Sequence, residues 1–492
     1  MAVRLEKLIA SLEDAKLIGD GAVSIEGLEY DSRRIKPGML FAAITGYRTD
    51  GKKFIANAIK NGAAAILTDT EVKCSIPVVV VPSVRKALAD MAACYYDYPG
   101  RKLFVIGVTG TNGKSTSVFL IQEILRTAGI KTGLINSLVY DTTVEKYKAE
   151  RTTPDSVDMQ RYLAEMVRAG CTHAVVEVSS HALVLHRVDN IEFQVGLFTN
   201  FSRDHLDFHK TMSEYLSAKR SFLDLLDNSD KCAVINKDVA EFASFVNDAG
   251  CRTVTYSPEG NPGDVMAVNA RLEPGQSFFE LALSEGRISA SCRLPGRYNM
   301  ANAVGAASVG IALGVDRDII KRALESAEPV PGRFEPVNTG QPFSIIIDYA
   351  HTPDALERLC LSAREITPGR ILTLFGCGGD RDAGKRPMMA EAASANSDFV
   401  VLTSDNPRTE NPQDIINDAL PGMVHDNYKV IPDRREAIHA VIEQAGENDT
   451  VLLAGKGAEN YQEVGTERFP FSDKTEAVNA LRKIGFGKVN AG

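Results

Sequence analysis

The chain has no apolar run of membrane-spanning length, no CxxC pair, no GxSxG element and no excess of basic charge. Each absence removes a class of function. Without about 18 consecutive apolar residues there is no transmembrane helix, and the opening "MAVRLEKLIASLEDAK" carries acidic residues where a secretory peptide needs an unbroken apolar stretch. A cytoplasmic location is expected. The eight cysteines are scattered and several lie in apolar surroundings, so they read as reduced core residues rather than disulfides or metal ligands. A formal net charge of −9 speaks against a general nucleic-acid binder. The expected partners are small molecules, with no nucleic acid and no membrane, and the chain is expected to act as a monomer.

What is present fits a large soluble protein. Its 492 residues exceed what one hydrophobic core organises, which suggests roughly three domains. With 44% hydrophobic and 24% charged residues the composition is that of an ordinary globular chain, without repeats or low-complexity tracts. In the first block, to about residue 100, apolar runs such as "AAAILTD" and "IPVVVVPS" alternate with helical stretches such as "KKFIANAIKNG". The pattern continues from "LFVIGVTG" to "PVPGRFEPV", and again from "FSIIIDYAH" onward, with β-rich runs at 371–375, 399–402 and 451–454. Such alternation predicts an α/β protein with parallel sheets covered by helices. Ligands of these sheets bind beyond the carboxyl ends of the strands.

The strongest local signal is "GVTGTNGKST", between a strand expected over 103–108 and a helix with Val118, Ile121 and Leu125 on its apolar face, closed by Gly129. Glycines let backbone N–H groups turn onto phosphate oxygens. The helix N-terminus adds its dipole, Lys114 a point charge, and Ser115 or Thr116 a hydroxyl for Mg²⁺. The strict GxxxxGK[ST] spacing is missed, because Val108 stands where the first glycine belongs. A nucleoside-triphosphate site over Gly110, Thr111, Asn112, Gly113, Lys114, Ser115 and Thr116 is nevertheless the expectation.

Glu177 follows the β-branched run of "HAVVEVSSHAL", where many phosphate-loop proteins carry a metal-ordering acid. "VGLFTNFSRDHLDFH" ends a strand in a turn with His205 and His209. That pair could hold zinc by spacing, but no third soft ligand is near, and a single histidine beside Mg²⁺ is preferred. A turn capped by Asp204 or Asp207 explains the same stretch equally well. In "TMSEYLSAKRSFLDLL", Thr211 and Glu214 form a capping box, and Lys219 points with the apolar face of Tyr215, Ala218, Phe222 and Leu226. Burial there would depress its pKa and make it nucleophilic. The helix alone favours snorkelling to the surface.

"GVTGTNGKST", "VVEVSSHAL", "NFSRDHLDFH", "YLSAKRSFL", "LPGRYNMANA", "VPGRFE", "IDYAHTPDAL", "FGCGGDRDAGKRP" and "SDNPRTENP" together closely resemble the Mur ligases, in order through nearly the whole chain. The resemblance implies a UDP-binding domain over 1–101, a P-loop-type ATPase domain over 102–332 and a Rossmann-like amino-acid-binding domain over 333–492. It also implies a reaction of cytoplasmic peptidoglycan precursor synthesis: ATP-dependent addition of meso-diaminopimelate to UDP-N-acetylmuramoyl-L-alanyl-D-glutamate through an acyl phosphate. By the family pattern Lys219 is carbamylated and organises Mg²⁺ with Glu177 and His205, while Ser115 and Thr116 match the phosphate-loop hydroxyls. Asn299 and Asn302 match residues near the adenine, and Arg333 and Asp348 residues that hold the nucleotide from the inter-domain side. Ser32 and Arg33 match the uridine-binding loop. Thr152, Thr153, Ser179 and Arg187 match contacts to the muramoyl dipeptide. No enzyme nucleophile is required, and His205 and His181 take positioning roles.

"SDNPR" resembles the signature of members that accept meso-diaminopimelate, whose distal centre bears a carboxylate that lysine lacks. By itself the stretch is a good turn, with Asp405, Asn406 and Pro407 forming it and Arg408 a solvated charge. Within the family it becomes a guanidinium on a stiff loop, suited to bidentate capture of a carboxylate. Asn406, Arg381, Gly455 and Glu459 complete the expected pocket. The family often reads Gly-Lys-Gly-His-Glu where this chain has alanine at position 458. Folylpolyglutamate synthetase uses similar ATP-site motifs, but "YDSRR" and "SDNPR" argue against it. Lys114, Glu177, His205 and Lys219 argue against a binding protein that has lost ligation.

Overall fold

Short apolar strands separated by amphipathic helices build three larger sheets in the computed structural model, which describes residues 2–46, 49–273 and 275–486. The first places Lys16–Ile18, Val78–Val80, Ala65–Thr68, Met39–Ala42 and Gly27–Glu29 side by side. Helix Val84–Tyr95, capped by Ser83, packs Leu88 and Met91 onto Leu40, Leu67 and Val79. The "KKFIANAIKNG" stretch divides into a 3₁₀ turn, Gly51–Phe54, and a short helix, Ile55–Lys60.

The central sheet has eleven strands. Strand Phe104–Thr109 lies in its middle, parallel to His173–Glu177 on one side and Phe193–Phe198 on the other. Both faces of that strand are covered. Ile106 and Val108 meet Val118, Ile121 and Leu125 of helix Lys114–Thr127, while Val105 meets the cluster of Phe193 and Phe222. This is why its sequence runs almost continuously apolar. Gly107 has a packing role: a Cβ there would stand 2.3 Å from Phe222 Cζ. Register then puts Glu177 beside Val108, and Phe198 beside Thr109, so both neighbouring strands end level with the phosphate loop. Helix Arg297–Ala312, with Met300, Ala303 and Val304 buried, packs against helix Lys114–Thr127.

In the third sheet the parallel order is Ser344–Asp348, Thr450–Ala454, Ile371–Cys377, Phe399–Ser404 and Tyr428–Val430. The chain proceeds outward from Ile371–Cys377, then returns to insert Thr450–Ala454 on its other side. The loops after these two strands therefore diverge and leave a crevice at their carboxyl ends. No helix among the described residues is long and apolar enough to cross a membrane.

Candidate active site

The phosphate loop is shaped by two glycines that accept no side chain. Gly113 caps the helix at φ 80°, and a Cβ on it would lie 2.1 Å from Asn302 Oδ1. Gly110, at φ 148°, would collide with Thr199 Oγ1 at 1.9 Å. Thr111 and Asn112 spend their own N–H groups on Asn200, on its carbonyl at 2.9 Å and on Oδ1 at 2.8 Å. The N–H groups of the first helical turn, from Lys114, have no intrahelical acceptor and form the anion-facing end.

Four predicted residues converge beneath this loop. Ser115 Oγ donates to Glu177 Oε2 at 2.9 Å, and Lys114 Nζ lies 4.0 Å from the other carboxylate oxygen. Burial lowers the pKa of Lys114 against the pull of Glu177. Lys219 is 1% exposed, so it does not snorkel; Nζ donates to Gly110 O at 2.6 Å and lies over the Tyr215 ring. Desolvation first, and the Lys114 ammonium second, hold its pKa well below the ordinary lysine value. Of the expected capping box the structure shows the N-cap half, Thr211 Oγ1 accepting from Glu214 N, while Thr211 N–H donates to His209 O; the cap fixes the helix that delivers Lys219. Thr116 is also buried, but the hydroxyl that meets Glu177 is that of Ser115.

His205 adopts φ 55° at the start of a short helix, with Nε2 3.4 Å from Asp204 Oδ2. Burial pushes it down to about 4 although Asp204 pulls the other way. His181, in edge contact with the His205 ring, is pushed to about 3, chiefly by burial. His209 turns inward to Ser180 Oγ at 2.9 Å. Among the described residues no group of three or more His, Cys, Asp and Glu is arranged to hold a metal.

The expected nucleotide contacts are placed unequally. Asn302 lies against Gly113. Asn299 is fully buried, donates to Pro295 O, and keeps Oδ1 without a partner. Arg333 reaches across from the third domain to Ser115 Oγ at 3.5 Å and stacks on Tyr349. Asp348 is committed to backbone groups: Oδ2 accepts from Phe334 N at 2.7 Å and Oδ1 from Ala350 N at 2.8 Å. On the sugar-peptide side, Thr153 Oγ1 donates to Glu177 O, Ser179 N donates back to Thr153 Oγ1, and Arg187 Nη1 donates to Thr153 O. Thr152 beside them is half-buried. Ser32 is buried against Asn57 and Asn61, whereas Arg33 is exposed and pairs with Asp31 at 2.6 Å.

A cleft of about 340 Å³ lies between the turn at 203–207 and the crevice of the third sheet, lined by His205, Arg381, Asp405, Asn406, Arg408 and Glu459 among others. Gly455 must be glycine here, at φ 111° with Asp405 Oδ2 2.7 Å from a Cβ position. Pro407 O likewise lies 1.9 Å from where a Cβ on Gly379 would stand. Arg408 is not a free surface cation. Nε donates to Glu463 Oε2 at 3.1 Å and Nη1 to Gly379 O at 2.7 Å, leaving Nη2 for a ligand. Arg381 is exposed at the rim. Ala458 is exposed, and the backbone of Gly457 and Ala458 packs directly on Gly332, where no side chain fits.

Sequence reasoning missed Ser137, whose hydroxyl meets Ser115 Oγ at 2.7 Å and whose N–H donates to Glu177. It also missed Asn200, Asp204, His351 and Lys385; only Asp204 carried a signal, as an alternative helix cap. Lys456, flanked by two glycines, is fully buried behind Asn406.

Three profiles match this chain: "Mur ligase middle domain" over 108–310, "Mur ligase, glutamate ligase domain" over 332–457, and "Mur ligase family, catalytic domain" over 24–96. The chain is 41% identical to UDP-N-acetylmuramoyl-L-alanyl-D-glutamate–2,6-diaminopimelate ligase 1 of Clostridium acetobutylicum, covering 98% of this chain and 100% of that one. It is 41% identical to the ligase of the same description from Halalkalibacterium halodurans, over 98% and 99% of the two chains. A solved structure of a UDP-N-acetylmuramoyl-L-alanyl-D-glutamate–2,6-diaminopimelate ligase superposes with a TM-score of 0.67 at 31% identity, covering 98% and 99%.

Proposed function

The chain belongs to the Mur ligase family, and on that premise we propose that it joins meso-diaminopimelate to UDP-N-acetylmuramoyl-L-alanyl-D-glutamate at the expense of ATP. The observation that carries the reading is the single cleft in which the His205 turn beneath the phosphate loop faces Arg381, Asn406, Arg408 and Glu459. A phosphorylated carboxylate formed on one wall is thereby within reach of an amine held on the other.

The bonds balance without an enzyme nucleophile. A carboxylate oxygen of the dipeptide attacks the γ-phosphorus, the bond to the bridging oxygen breaks, and ADP leaves an acyl phosphate. The amine of diaminopimelate attacks the acyl carbon, loses its proton, and inorganic phosphate departs as the amide forms. Lys114 and the first-turn N–H groups neutralise charge on the transferring phosphoryl group, and Arg333 approaches from the third domain. Thr153, Ser179 and Arg187 hold the dipeptide beside Glu177. Asn299 and Asn302 border the adenine, Asp348 holds the Phe334 backbone, and Ser32 and Arg33 meet the uridine end.

The donor set fits Mg²⁺, a hard cation that takes one or two carboxylates with hydroxyl, water and phosphate oxygens. Ser115 and Glu177 already converge at 2.9 Å. Thr116 and His205 are the further candidates. Held by these residues, such an ion would supply positive charge that offsets that of the phosphates. Lys219 fits only after modification, because an ammonium would repel the ion. Its depressed pKa supplies the free amine: the nitrogen lone pair bonds to the carbon of CO₂, a proton leaves nitrogen, and a carbamate results. The protein acts in the cytoplasm, as a monomer.

Amide formation from the UDP-linked dipeptide, ATP and Mg²⁺ is the test, with meso-diaminopimelate and L-lysine offered in parallel. Product with diaminopimelate alone is expected. Product with lysine would overturn the assigned specificity, and no product with either would overturn the ligase reading.

A further inference from the structure

Lys456 has no role in the reaction as set out above, yet its side chain is fully buried immediately behind the amino-acid pocket. Nζ donates to Asn406 Oδ1 at 2.9 Å and to Glu459 Oε2 at 3.0 Å. The same Oδ1 also accepts from Glu463 N at 2.9 Å, and Asn406 Nδ2 donates to Glu459 Oε2 at 2.9 Å. We propose that Lys456 is a positioning residue that locks the donor face of the Asn406 amide toward the cleft, making the distal subsite read a carboxylate. The inference rests on the diaminopimelate-ligase reading.

An asparagine amide can present either an acceptor or two donors, and rotation by half a turn exchanges them. Here rotation is blocked. It would set the amide NH₂ against an ammonium and a backbone N–H, three donor groups with no acceptor between them, in a buried place where each unsatisfied group is costly. With Oδ1 occupied twice and one Nδ2 proton on Glu459, the second Nδ2 proton remains for the cleft, which Asn406 lines. Arg408 lines the same cleft. Donors from both residues in one cleft suit a carboxylate. A ligand whose distal centre carries only an ammonium would leave these donors without an acceptor, which makes rejection of lysine a property of amide orientation as well as of Arg408. Lys456 also ties Glu459, so a ligand ammonium finds that carboxylate held in place. Behind this group, the buried Arg434–Asp473 pair donates through Arg434 Nη2 to Ala454 O at 2.9 Å and fixes the strand end from which the 455–459 loop departs.

The experiment compares wild type with Lys456→Met, which keeps the stem and removes the charge and donors. KM for meso-diaminopimelate should rise about 10- to 100-fold with kcat changed much less, and the preference over L-lysine should shrink by a comparable factor. KM for ATP and for the UDP-linked dipeptide should stay within twofold. A KM and a preference both unchanged would overturn the proposal while leaving the ligase reading intact. Absence of product from the wild type with any amino acid would instead overturn that reading. Should Lys456→Met fail to bind ATP, the decision passes to Asn406→Asp, isosteric but without the donors: a diaminopimelate KM within twofold of wild type would overturn the proposal, and a rise with improved relative use of lysine would support it.

Discussion

Lys219 and Lys456 are the same residue type buried to the same degree, at 1% and 0% exposure, in opposite surroundings. Lys219 donates to a neutral carbonyl and has the Lys114 ammonium as its principal charged neighbour. Lys456 donates to a carboxylate and an amide oxygen. An ammonium without a counter-ion in the interior costs several kcal/mol, and giving up the proton relieves it. A paired one is a strut. The sign of the nearest charge, rather than burial itself, thus separates a lysine poised for reaction from one that holds other side chains still.

The contrast can be broken experimentally. Its largest expected consequence is for Lys219→Ala, which should lower ligation about 1,000-fold, the scale of losing a charge that orders a phosphoryl-transfer site; a small carboxylate added to the variant should restore part of the rate. No restoration by any carboxylate would count against a carbamate at this position. Arg408→Ala comes next, with kcat/KM for diaminopimelate falling about 100-fold and ATP affinity unchanged by equilibrium binding. Loss of ATP affinity would mean that the turn supports the fold rather than the pocket.

Stability sharpens the same comparison. Lys219→Met should leave the protein as stable as wild type or raise the melting temperature in CO₂-free buffer, because it removes a buried amine whose charged form is disfavoured by burial and by Lys114. Lys456→Met should destabilise by about 1–3 kcal/mol in denaturant unfolding, since Glu459 and Asn406 lose a charged partner. Equal effects in the two variants would erase the distinction. The smallest effect belongs to Arg33→Ala: the side chain is exposed and pairs with Asp31, so the melting temperature should not change measurably, while KM for the UDP-linked substrate rises.

Legibility in the sequence followed contiguity. The phosphate loop is one uninterrupted segment whose chemistry comes from backbone N–H groups, so glycine spacing between a strand and a helix announced it, and the structure places Gly110 and Gly113 as the two glycines that the turn demands. Gly107 stood off the expected spacing because its constraint is packing against Phe222, which periodicity does not reveal. The cleft proposed to take the amino acid draws on loops at 378–381, 405–408 and 455–463. The 405–408 stretch read as a turn by itself, and only the family pattern joined the three. The capping box of Thr211 and Glu214 was visible, but whether Lys219 goes inward depended on Tyr215 and Gly110 O meeting it from two other segments.

The sequence by itself determined the α/β class, the alternation that makes parallel sheets, and the helix that begins at Lys114, because hydrophobic period and glycine placement act over a few residues. Only the tertiary structure decided that Arg408 is half engaged by Glu463 and Gly379, that Asp348 holds the Phe334 backbone, and that Lys456 sets the face of Asn406. Those outcomes depend on electrostatics and desolvation among groups distant along the chain, which acquire their values only when strands from separate segments end side by side.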